Sequence, residues 1–383
     1  MNLLLAGGGT GGHVYPALAL AQALRRRDPD AGLLFAGSAT GMEAALVPSA
    51  GLPFAGLAVR PPRSRAPVRA AVAIVTGAVS LAQALAIVAR FQPDAVVATG
   101  GIAAAPPVLA AWLWRVPVVL LEGNAALGRA NAFLARFARA VAVTSDDAAA
   151  RVGGGRALVT GLPVRSEVFS TPRGEGLRAF GLDPARRTVL VIGGSQGAAR
   201  LNAAADEMAL SLAGRRDLQI LHQTGRGWQG REIGEFDRTA VSNETVAAGL
   251  RHVRVPYFDQ IGLAYACADL VISRCGATAL AEITACGLPA VLVPYRYAAD
   301  GHQAENAAPL IRAGAAVLLD DATLDGTALA RTVAEILDAP GRRDAMAGRA
   351  RALGRPDAAD RVLALVERVR GGSEAAVSKE SRA

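Results

Sequence analysis

The feature that most constrains the fold is a glycine-rich turn placed directly after a short apolar run, because the 383-residue chain contains it twice. The first turn, residues 7–13, follows the run 2–6, and the second, residues 193–197, follows the run 188–192. A helical pattern comes after each turn. A strand that passes through a tight glycine turn into a helix opens a nucleotide-binding α/β unit. We therefore predict two such units, a number that also agrees with the chain length.

Short apolar runs alternate with longer helical patterns in both halves of the chain. The predicted strands are 2–6, 33–37, 95–99, 118–122, 140–144, 157–160, 188–192, 219–223, 253–255, 270–273, 290–293 and 316–319. The predicted helices are 16–26, 68–90, 103–114, 129–137, 260–268, 278–286, 303–313 and 327–337. Strands that alternate with helices pair in parallel, so the predicted fold class is α/β with parallel sheets.

The same pattern divides the chain into domains. We place the first domain at residues 1–163, with a hinge at 161–163, and the second at 164–340. The polar residues 371–383 are predicted to form a disordered tail. Residues 227–243 are polar and no element is assigned to them.

Composition excludes several classes of protein. Hydrophobic residues make up 52% of the chain and charged residues 19%, the opposite of a disordered protein. The formal net charge of +8 is carried almost entirely by arginine, which reflects a compositional bias as much as a function. Cys267, Cys275 and Cys286 form no CxxC pair and the four histidines have no zinc spacing, so we expect reduced thiols and no metal site. The first residues indicate a strand rather than a signal peptide.

Residues 70–89 carry no charged side chain and have the length of a membrane-spanning helix. The segment is mostly alanine and contains Thr76, Ser80 and Gln83, so its transfer into lipid would be weakly favourable. We expect a helix packed on a sheet. Arginines flank the segment, so a second interpretation is an apolar face resting on an anionic membrane. That membrane patch would comprise Val72, Val75, Val79 and Leu81 with Arg63, Arg65 and Arg69, and with Trp112 and Trp114 beside them.

The first glycine turn fits the dinucleotide fingerprint G-x-G-x-x-G, but an expected partner is missing. NAD-binding chains carry an acidic residue at the end of the second strand, and here residues 33–38 end in glycine and serine. We therefore favour a turn that binds a different phosphate ligand, since the next helix offers free N–H groups to an anion. His13 lies at the mouth of this turn, where open α/β sheets bind ligands, and it is a candidate general base.

The second turn, residues 193–197, has the sequence Gly-Gly-Ser-Gln-Gly. The Ser195 hydroxyl can add a donor to the N–H groups around a phosphate. The same five residues fit the G-x-S-x-G nucleophile elbow of serine hydrolases. We disfavour that alternative because it does not account for the first glycine turn.

A third motif lies within residues 268–308. A strand ends at Ser273, and a helix is predicted to begin near Thr278, whose hydroxyl can cap it. The first helical turn would present N–H groups to a diphosphate. Glu282 follows one turn later. Its carboxylate can accept two ribose hydroxyls, although a solvated or capping glutamate would show the same spacing.

Together the three motifs carry a resemblance. They read Gly-Gly-Thr-Gly-Gly-His, Gly-Gly-Ser-Gln-Gly, and Arg-x-Gly-Ala-x-x-x-x-Glu followed by Gly-Leu-Pro and His-Gln-x-x-Asn-Ala. In this order, over residues 1–370, the chain resembles the bacterial N-acetylglucosaminyltransferases that convert lipid I to lipid II in peptidoglycan synthesis. The resemblance implies the glycosyltransferase B-type fold, with two Rossmann-like domains facing a cleft. It also implies that helices in residues 341–370 return to the first domain.

The resemblance further implies an inverting sugar transfer. The donor is UDP-N-acetylglucosamine, held mostly by the second domain, and the acceptor is the C4 hydroxyl of undecaprenyl-diphosphate-linked N-acetylmuramoyl-pentapeptide, held by the first. The enzyme would be peripheral on the cytoplasmic face of the cell membrane. Its partners would be an anionic membrane surface and other cell-wall synthesis proteins, and not nucleic acid. No cofactor and no metal are expected, since no Asp-x-Asp motif is well placed for Mg²⁺.

The resemblance also assigns the site. Catalysis falls to His13 as the base and to Glu282, which would hold the ribose. Arg165, Ser195 and Gln303 would contact the diphosphate and sugar of the donor. Asn124 would hold sugar hydroxyls, and Phe258 would present its backbone to uracil. The full set for the UDP-sugar is Thr10, Gly11, Gly12, Asn124, Arg165, Ser195, Phe258, Ala277, Thr278, Ala279, Leu280, Ala281, Glu282 and Gln303.

The chain departs from the family in two places, both on the acceptor side. Residues 121–124 read Leu-Glu-Gly-Asn where the family commonly has His-Glu-Gln-Asn, and residues 101–106 lack the usual aromatic and serine. Two alternatives therefore stay open. One is a UDP-N-acetylglucosamine 2-epimerase on the same two-domain scaffold, and the other is a catalytically inactive sugar-nucleotide-binding protein.

Overall fold

A computed structural model of the chain describes residues 1–59, 67–194, 197–225, 243–247, 249–298 and 302–372, with the backbone alone at 67–74 and 243–247. The chain forms two compact units. Unit 1 comprises Met1–Arg165 together with the chain from Arg355 onward, and unit 2 comprises Ser166–Gly354. Each unit contains a seven-stranded sheet with helices packed on it.

The sheet of unit 1 is parallel throughout. Its strands are β1 (Asn2–Gly7), β2 (Gly32–Ser38), β3 (Phe54–Leu57), β4 (Ala95–Gly100), β5 (Val118–Leu121), β6 (Ala140–Val143) and β7 (Ala157–Val159). Their order in the sheet is β3-β2-β1-β4-β5-β6-β7. This is the Rossmann order, in which the chain direction across the sheet reverses between β1 and β4.

The helices of unit 1 surround an alanine- and valine-rich core. They are α1 (Gly11–Arg27), α2 (Glu43–Ser49), α3 (Pro67–Phe91), a 3-10 turn (Ile102–Ala104), α4 (Ala105–Leu113), α5 (Arg129–Leu134), α6 (Asp146–Val152) and the C-terminal α15 (Ala358–Arg370). Ala98, Val108 and Val141 are representative fully buried core residues. Helix α15 packs against α1, and Arg27 pairs with Glu367 at 3.2 Å. The C-terminal helix therefore returns to the first unit.

The parallel strands of unit 2 repeat the order of unit 1, and one antiparallel strand is added at the edge of the sheet. Its strands are β8 (Arg187–Ile192), β9 (Leu218–Gln223), β10 (Asn243–Ala247), β11 (Leu250–Val255), β12 (Leu270–Ser273), β13 (Ala290–Leu292) and β14 (Ala316–Leu318). Its helices are α7 (Ser166–Ser170), α8 (Arg173–Ala179), α9 (Ala199–Ser211), α10 (Ile261–Cys267), α11 (Ala277–Cys286), α12 (His302–Arg312), α13 (Gly326–Asp338) and α14 (Arg342–Leu353). The sheet runs β10-β11-β9-β8-β12-β13-β14, with only β10 antiparallel to its neighbour. Its switch point lies between β8 and β12.

The predicted α/β class is confirmed, and every predicted strand is present. Strands β3 and β10 were not predicted. Helix α1 begins at Gly11 rather than at Pro16, because the proline lies inside the helix and does not start it. The chain returns to unit 1 at Arg355 rather than at residue 341, because α14 packs on α11 of unit 2.

Two further predictions bear on the chain ends and on the membrane. The predicted tail comprises residues 371–383, of which all but residues 371 and 372 lie outside the described part of the chain. Among the described residues, no helix combines the length and the apolar character that crossing a membrane requires.

Candidate active site

Both glycine-rich turns lie at the switch point of their sheet. In unit 1 the turn follows β1, and the neighbouring β4 ends at Gly100. In unit 2 the turn follows β8, and the neighbouring β12 leads into α11. Switch points are where open parallel sheets bind nucleotides and phosphates. The three sequence motifs therefore occupy the positions at which each sheet offers a ligand site.

His13 lies in the first turn of α1, and the backbone of the glycine turn sets its orientation. Its Nδ1 lies 2.9 Å from the carbonyl oxygen of Gly8, and the Thr10 hydroxyl lies 3.4 Å from the same nitrogen. Because a carbonyl oxygen can only accept, Nδ1 carries the proton of the neutral ring and Nε2 keeps the lone pair. The half-buried ring is thus arranged to act as a base through Nε2.

Glu43 holds the first glycine turn through a carboxylate that is fully buried. Its Oε2 accepts the N–H of Gly9 at 3.0 Å, and its Oε1 accepts the N–H of Ser38 at 2.9 Å. Any side chain at Gly8 would collide with this carboxylate. Sequence reasoning did not assign Glu43 a role, because a bond to a residue 34 positions away leaves no local signal.

Glu122 organises a second buried network, directly after β5. Its Oε1 accepts the backbone N–H of Asn124 at 2.9 Å and the side-chain amide of Asn124 at 3.0 Å. Its Oε2 accepts the N–H of Gly128 at 3.1 Å and the amide of Asn131 at 2.9 Å. These four donors compensate the burial of a carboxylate that is 2% exposed. Asn124, predicted to hold sugar hydroxyls, is thereby fixed in place.

Asn131 connects this network to His13. Its side chain is buried, and its Oδ1 has no hydrogen-bond partner among the described residues. A Cβ atom at Gly100 would lie 2.9 Å from Asn131 Oδ1 and 3.2 Å from His13 Nε2, so both atoms border the same space. Gly100 also has φ +107°, a backbone conformation that residues with a side chain rarely adopt. Asn131 Oδ1 and His13 Nε2 therefore both lie beside Gly100, and sequence reasoning did not single out Asn131.

Arg165 is oriented by an aromatic ring of α1. Its guanidinium carbon lies 4.9 Å from the centroid of the Tyr15 ring. Stacking of this kind is favourable for arginine. The predicted diphosphate contact therefore lies beside the helix that carries His13.

In unit 2, α11 begins at Ala277 with Gly276 as its N-cap. The N–H of Leu280 already bonds to the carbonyl of Gly276 at 3.0 Å, and the Leu280 side chain is buried. The N–H groups that precede this first helical bond, on residues 277–279, are the ones oriented toward an anion. The N–H of Leu280 is therefore engaged within the helix, so a contact between Leu280 and a ligand would use other atoms.

Thr278 differs from its predicted role. The helix has no side-chain cap, so the prediction that the Thr278 hydroxyl caps α11 is wrong. The reason is that Thr278 lies inside the helix, two residues after the N-cap position. Its Oγ1 is buried and has no partner among the described residues, which leaves a donor at the end of α11 where an anion would lie.

Gln303 lies in the first turn of α12, and the oxygen of its side-chain amide is hydrogen-bonded within the protein. Its Oε1 accepts the N–H of Cys275 at 3.1 Å and the N–H of Tyr295 at 2.9 Å. The side chain therefore fixes the loop before α11 and leaves the amide Nε2 as the group that can donate to a ligand. In this orientation, Gln303 would contact the UDP-sugar by donating a hydrogen bond from Nε2.

Glu282 lies on α11 with 9% of its surface exposed. The hydroxyl of Tyr265, on α10, donates to its Oε2 at 3.1 Å. Burial, followed by the nearby Glu282 charge, raises the pKa of Tyr265 well above its usual value, so the hydroxyl stays a donor at every physiological pH. Tyr265 was not identified from the sequence.

Gln223, the last residue of β9, bonds to two segments that are predicted to contact the UDP-sugar: the second glycine turn and Phe258. Its Nε2 donates to the carbonyl of Gly194 in the second glycine turn at 3.0 Å, and its Oε1 accepts the N–H of Phe258 at 3.3 Å. Phe258 itself is buried and packs edge-on against Phe180. Since the N–H of Phe258 already has an acceptor, a uracil contact at this residue falls to its carbonyl group.

Several predicted residues lie outside the described part of the chain. They are Ser195 in the second glycine turn, Arg63 and Arg65, and the side chains of Arg69 and Val72. Of the remaining residues of the predicted membrane patch, Val75 and Val79 are exposed, whereas Leu81 is half-buried and packs against the core of unit 1. Trp112 and Trp114, at the end of α4, are 52% and 55% exposed.

A buried polar cluster in unit 2 has the composition of a metal site. Asp206, His222 and His252 place one ligand atom each within 4.8 Å of the others. However, Arg254 pairs with Asp206 at 2.8 Å, His222 Nε2 lies 3.1 Å from Asn202 Oδ1, and the two histidines bond to each other at 3.3 Å. A guanidinium beside the carboxylate opposes a cation. We interpret the cluster as a hydrogen-bonded core network.

The cysteines do not contribute a reactive group to these sites. Cys267, Cys275 and Cys286 are free thiols. Burial raises the pKa of each thiol to about 12, so each stays protonated near neutral pH.

Comparison with known proteins defines the class. Residues 3–143 match the glycosyltransferase family 28 N-terminal domain, and residues 188–362 match the family's C-terminal domain. The crystal structure of MurG from Acinetobacter baumannii is similar with a TM-score of 0.72 and 27% identity, covering 96% of this chain and 99% of that one. The two Rossmann-like units with their glycine turns are thus the two halves of a glycosyltransferase with the B-type fold.

Curated relatives define the family within this class. A protein of Desulforudis audaxviator is 39% identical over 377 residues, covering 97% of this chain and 99% of its own length. A protein of Moorella thermoacetica is 41% identical over 368 residues, covering 96% and 98%. Both are named UDP-N-acetylglucosamine–N-acetylmuramyl-(pentapeptide) pyrophosphoryl-undecaprenol N-acetylglucosamine transferase, and this chain belongs to that family.

The epimerase alternative shares only the fold. A putative UDP-N-acetylglucosamine 2-epimerase from Listeria monocytogenes superposes with a TM-score of 0.65 at 14% identity, covering 96% of this chain and 95% of that one. At this identity the likeness shows a common scaffold and carries no information on the reaction.

Proposed function

We propose that this chain transfers N-acetylglucosamine from UDP-N-acetylglucosamine to the C4 hydroxyl of undecaprenyl-diphosphate-linked N-acetylmuramoyl-pentapeptide, with inversion at the donor carbon. Membership of the transferase family supports the donor and the acceptor. The observation that carries the residue-level proposal is the hydrogen bond from His13 to the carbonyl of Gly8, which directs the Nε2 lone pair away from the turn.

His13 acts as the general base in this proposal. The acceptor hydroxyl lies over Gly100, where it donates its proton to His13 Nε2 as the oxygen attacks the donor carbon. Asn131 Oδ1, on the same space, accepts from a neighbouring hydroxyl and orients the sugar. Asn124, which is hydrogen-bonded to Glu122, supplies a second side-chain amide to the unit 1 site, in addition to that of Asn131.

Unit 2 holds the donor. Charge develops on the leaving diphosphate, and the N–H groups of residues 277–279 with the Thr278 hydroxyl face it at the N-terminus of α11. Gln303 donates to the diphosphate or sugar, and Ser195 adds a further hydrogen-bond donor. Arg165, the last residue of the first segment of unit 1, is assigned to the same diphosphate. Glu282 accepts the ribose hydroxyls. These residues stabilise the departing UDP through hydrogen bonds and a helix dipole.

The lipid-linked acceptor requires contact with a membrane surface. The exposed aromatic patch is defined here as Val75, Val79, Trp112, Trp114 and Phe133. Helices α3 and α4 pack together, and Trp112 and Phe133 both pack edge-on against Phe137, so these residues lie on connected elements of unit 1. Tryptophan prefers the membrane–water interface. We propose that this patch rests on the anionic cytoplasmic leaflet, with other cell-wall synthesis proteins close by.

An acceptor-dependence assay tests the proposal. UDP release from UDP-N-acetylglucosamine is measured with and without a lipid I analogue that carries a shortened prenyl chain. We expect release only with the acceptor, together with a β-1,4-linked disaccharide product. Conversion of the donor to its manno epimer without acceptor would overturn the proposal in favour of an epimerase. Failure of UDP-N-acetylglucosamine to bind would remove both.

A further inference from the structure

Tyr265 and Glu282 form a buried pair that reaches between two helices of unit 2. Tyr265 lies on α10 and Glu282 on α11, and the phenolic oxygen is 3.1 Å from Oε2 of the carboxylate. Both side chains are buried. Such a carboxylate needs a donor to compensate its desolvation, and Tyr265 supplies one.

We propose that Tyr265 is a positioning residue that sets the orientation of the Glu282 carboxylate for the two hydroxyls of the donor ribose. The inference rests on the proposed function, in which Glu282 receives the ribose. In this proposal, Tyr265 does not itself contact the ligand.

The geometry supports a positioning role over a purely structural one. A carboxylate offers about four lone-pair sites, and the bond from Tyr265 uses one of them. That bond fixes rotation about the last side-chain torsion, which is otherwise broad and roughly two-fold. A carboxylate that is already oriented loses less conformational entropy when the ribose binds.

Tyrosine suits this task because of its environment. Its ring is packed in the core, so the hydroxyl position is fixed by the backbone of α10 rather than by a flexible chain. Serine or threonine at this position would be too short to reach Glu282. Phenylalanine would fill the same volume without the donor, which makes Tyr265→Phe a selective probe.

The test compares two ligands on three proteins. The ligands are UDP and 2′,3′-dideoxyuridine diphosphate, whose ribose has no hydroxyls for Glu282. The proteins are the wild type, Tyr265→Phe and Thr284→Val. The last is a matched control, since Thr284 also lies on α11 and its hydroxyl, among the described residues, bonds within the helix to Leu280 and Ala281. Dissociation constants are measured by titration calorimetry, with thermal unfolding recorded for each variant.

We expect the wild type to bind UDP more tightly than the dideoxy ligand. Tyr265→Phe should weaken UDP binding by about fivefold to tenfold and dideoxy binding by less than about twofold, the size of one hydrogen bond. Thr284→Val should leave the ratio of the two constants unchanged. With UDP-N-acetylglucosamine as substrate, Tyr265→Phe should raise KM and leave kcat near the wild-type value.

The outcomes separate the two claims. Equal weakening of both ligands by Tyr265→Phe would overturn the positioning role, while the ribose assignment of Glu282 would stand. Equal affinity of the wild type for both ligands would overturn the ribose assignment itself, and the positioning role with it.

Discussion

Nδ1 of His13 lies 2.9 Å from the carbonyl oxygen of Gly8, and this one contact decides which nitrogen of the ring can act as a base. The acceptor is a backbone atom of the same glycine turn, so the tautomer is set by the loop and not by an acidic side chain. Many catalytic histidines are oriented by a carboxylate. Here the loop that we propose as a ligand site also orients the proposed base.

His13→Ala should therefore lower kcat by about 10²- to 10⁴-fold, the usual contribution of a general base. UDP affinity should stay within about twofold, because we place the nucleotide in unit 2. The measurements are steady-state kinetics with a lipid I analogue and calorimetric titration with UDP. Near-normal turnover in a folded His13→Ala protein would contradict the role of base.

Glu43→Gln tests whether the hydrogen bonds of the Glu43 carboxylate stabilise the first glycine turn. The amide keeps one acceptor oxygen, but its NH₂ group would face either the N–H of Gly9 or that of Ser38. One buried donor is then left unsatisfied, so the free energy of unfolding should fall by about 1–3 kcal/mol. Because His13 depends on Gly8 of the same turn, kcat should fall as well.

The matched control for this prediction is Glu335→Gln, which makes the same chemical change on an exposed helix surface of unit 2. Its effect on the free energy of unfolding should stay within about 0.5 kcal/mol. Chemical denaturation of both variants provides the comparison. Equal stability of the two would show that Glu43 does not hold the turn in solution.

Glu122→Gln tests the network around Asn124. The wild-type carboxylate accepts four N–H groups, and an amide can accept at only one of its two ends. We expect kcat/KM to fall by roughly tenfold or more, since one lost bond of about 1.4 kcal/mol is tenfold in rate. UDP binding should not change. A variant with wild-type kinetics would show that the network is structural only.

Periodicity and glycine placement predicted the architecture, because these signals are local. An apolar run before the first glycine turn predicts β1, and the same pattern before the second predicts β8. Strand β3 was missed because its sequence, Phe-Ala-Gly-Leu, contains two residues that weaken a strand signal. The start of α1 was misplaced because Pro16 looked like an N-terminal helix residue.

Contacts that support the site were not predictable from the sequence. Tyr265 reaches a carboxylate 17 positions away, and Gln223 reaches the N–H of Phe258 35 positions away. Both depend on the packing of neighbouring elements of the sheet and its helices, which no short window encodes. The resemblance identified the residues expected to touch ligand, whereas the residues that orient them are brought together only by the packing of the folded chain.

The exposed aromatic patch predicts binding to anionic vesicles. Replacing Trp112 and Trp114 together by serine should weaken the vesicle binding constant by roughly tenfold to a hundredfold, since full burial of a large apolar side chain contributes ~1.5–3 kcal/mol and each tryptophan is about half exposed. The matched control is Leu210→Ser, an exposed apolar residue of unit 2.

Charge reversal at Arg63, Arg65 and Arg69 tests the electrostatic contribution to vesicle binding at low ionic strength. Unchanged sedimentation of both sets would place the membrane contact elsewhere.

The buried histidine pair predicts how stability depends on pH. Burial, followed by the nearby Arg254 charge, lowers the pKa of His222 to about 3 and that of His252 well below its usual value. The unfolded chain binds protons at both positions below about pH 6.5, whereas the folded chain does not. The free energy of unfolding should therefore fall as the pH falls below 6.5, with a slope that approaches about 1.4 kcal/mol per pH unit for each histidine that binds a proton only in the unfolded chain. Urea denaturation at pH 7, 6 and 5 measures this slope. Replacing both histidines by glutamine, which can still donate and accept, should reduce the slope by that amount, and an unchanged slope would show that the pair is not buried in its neutral form.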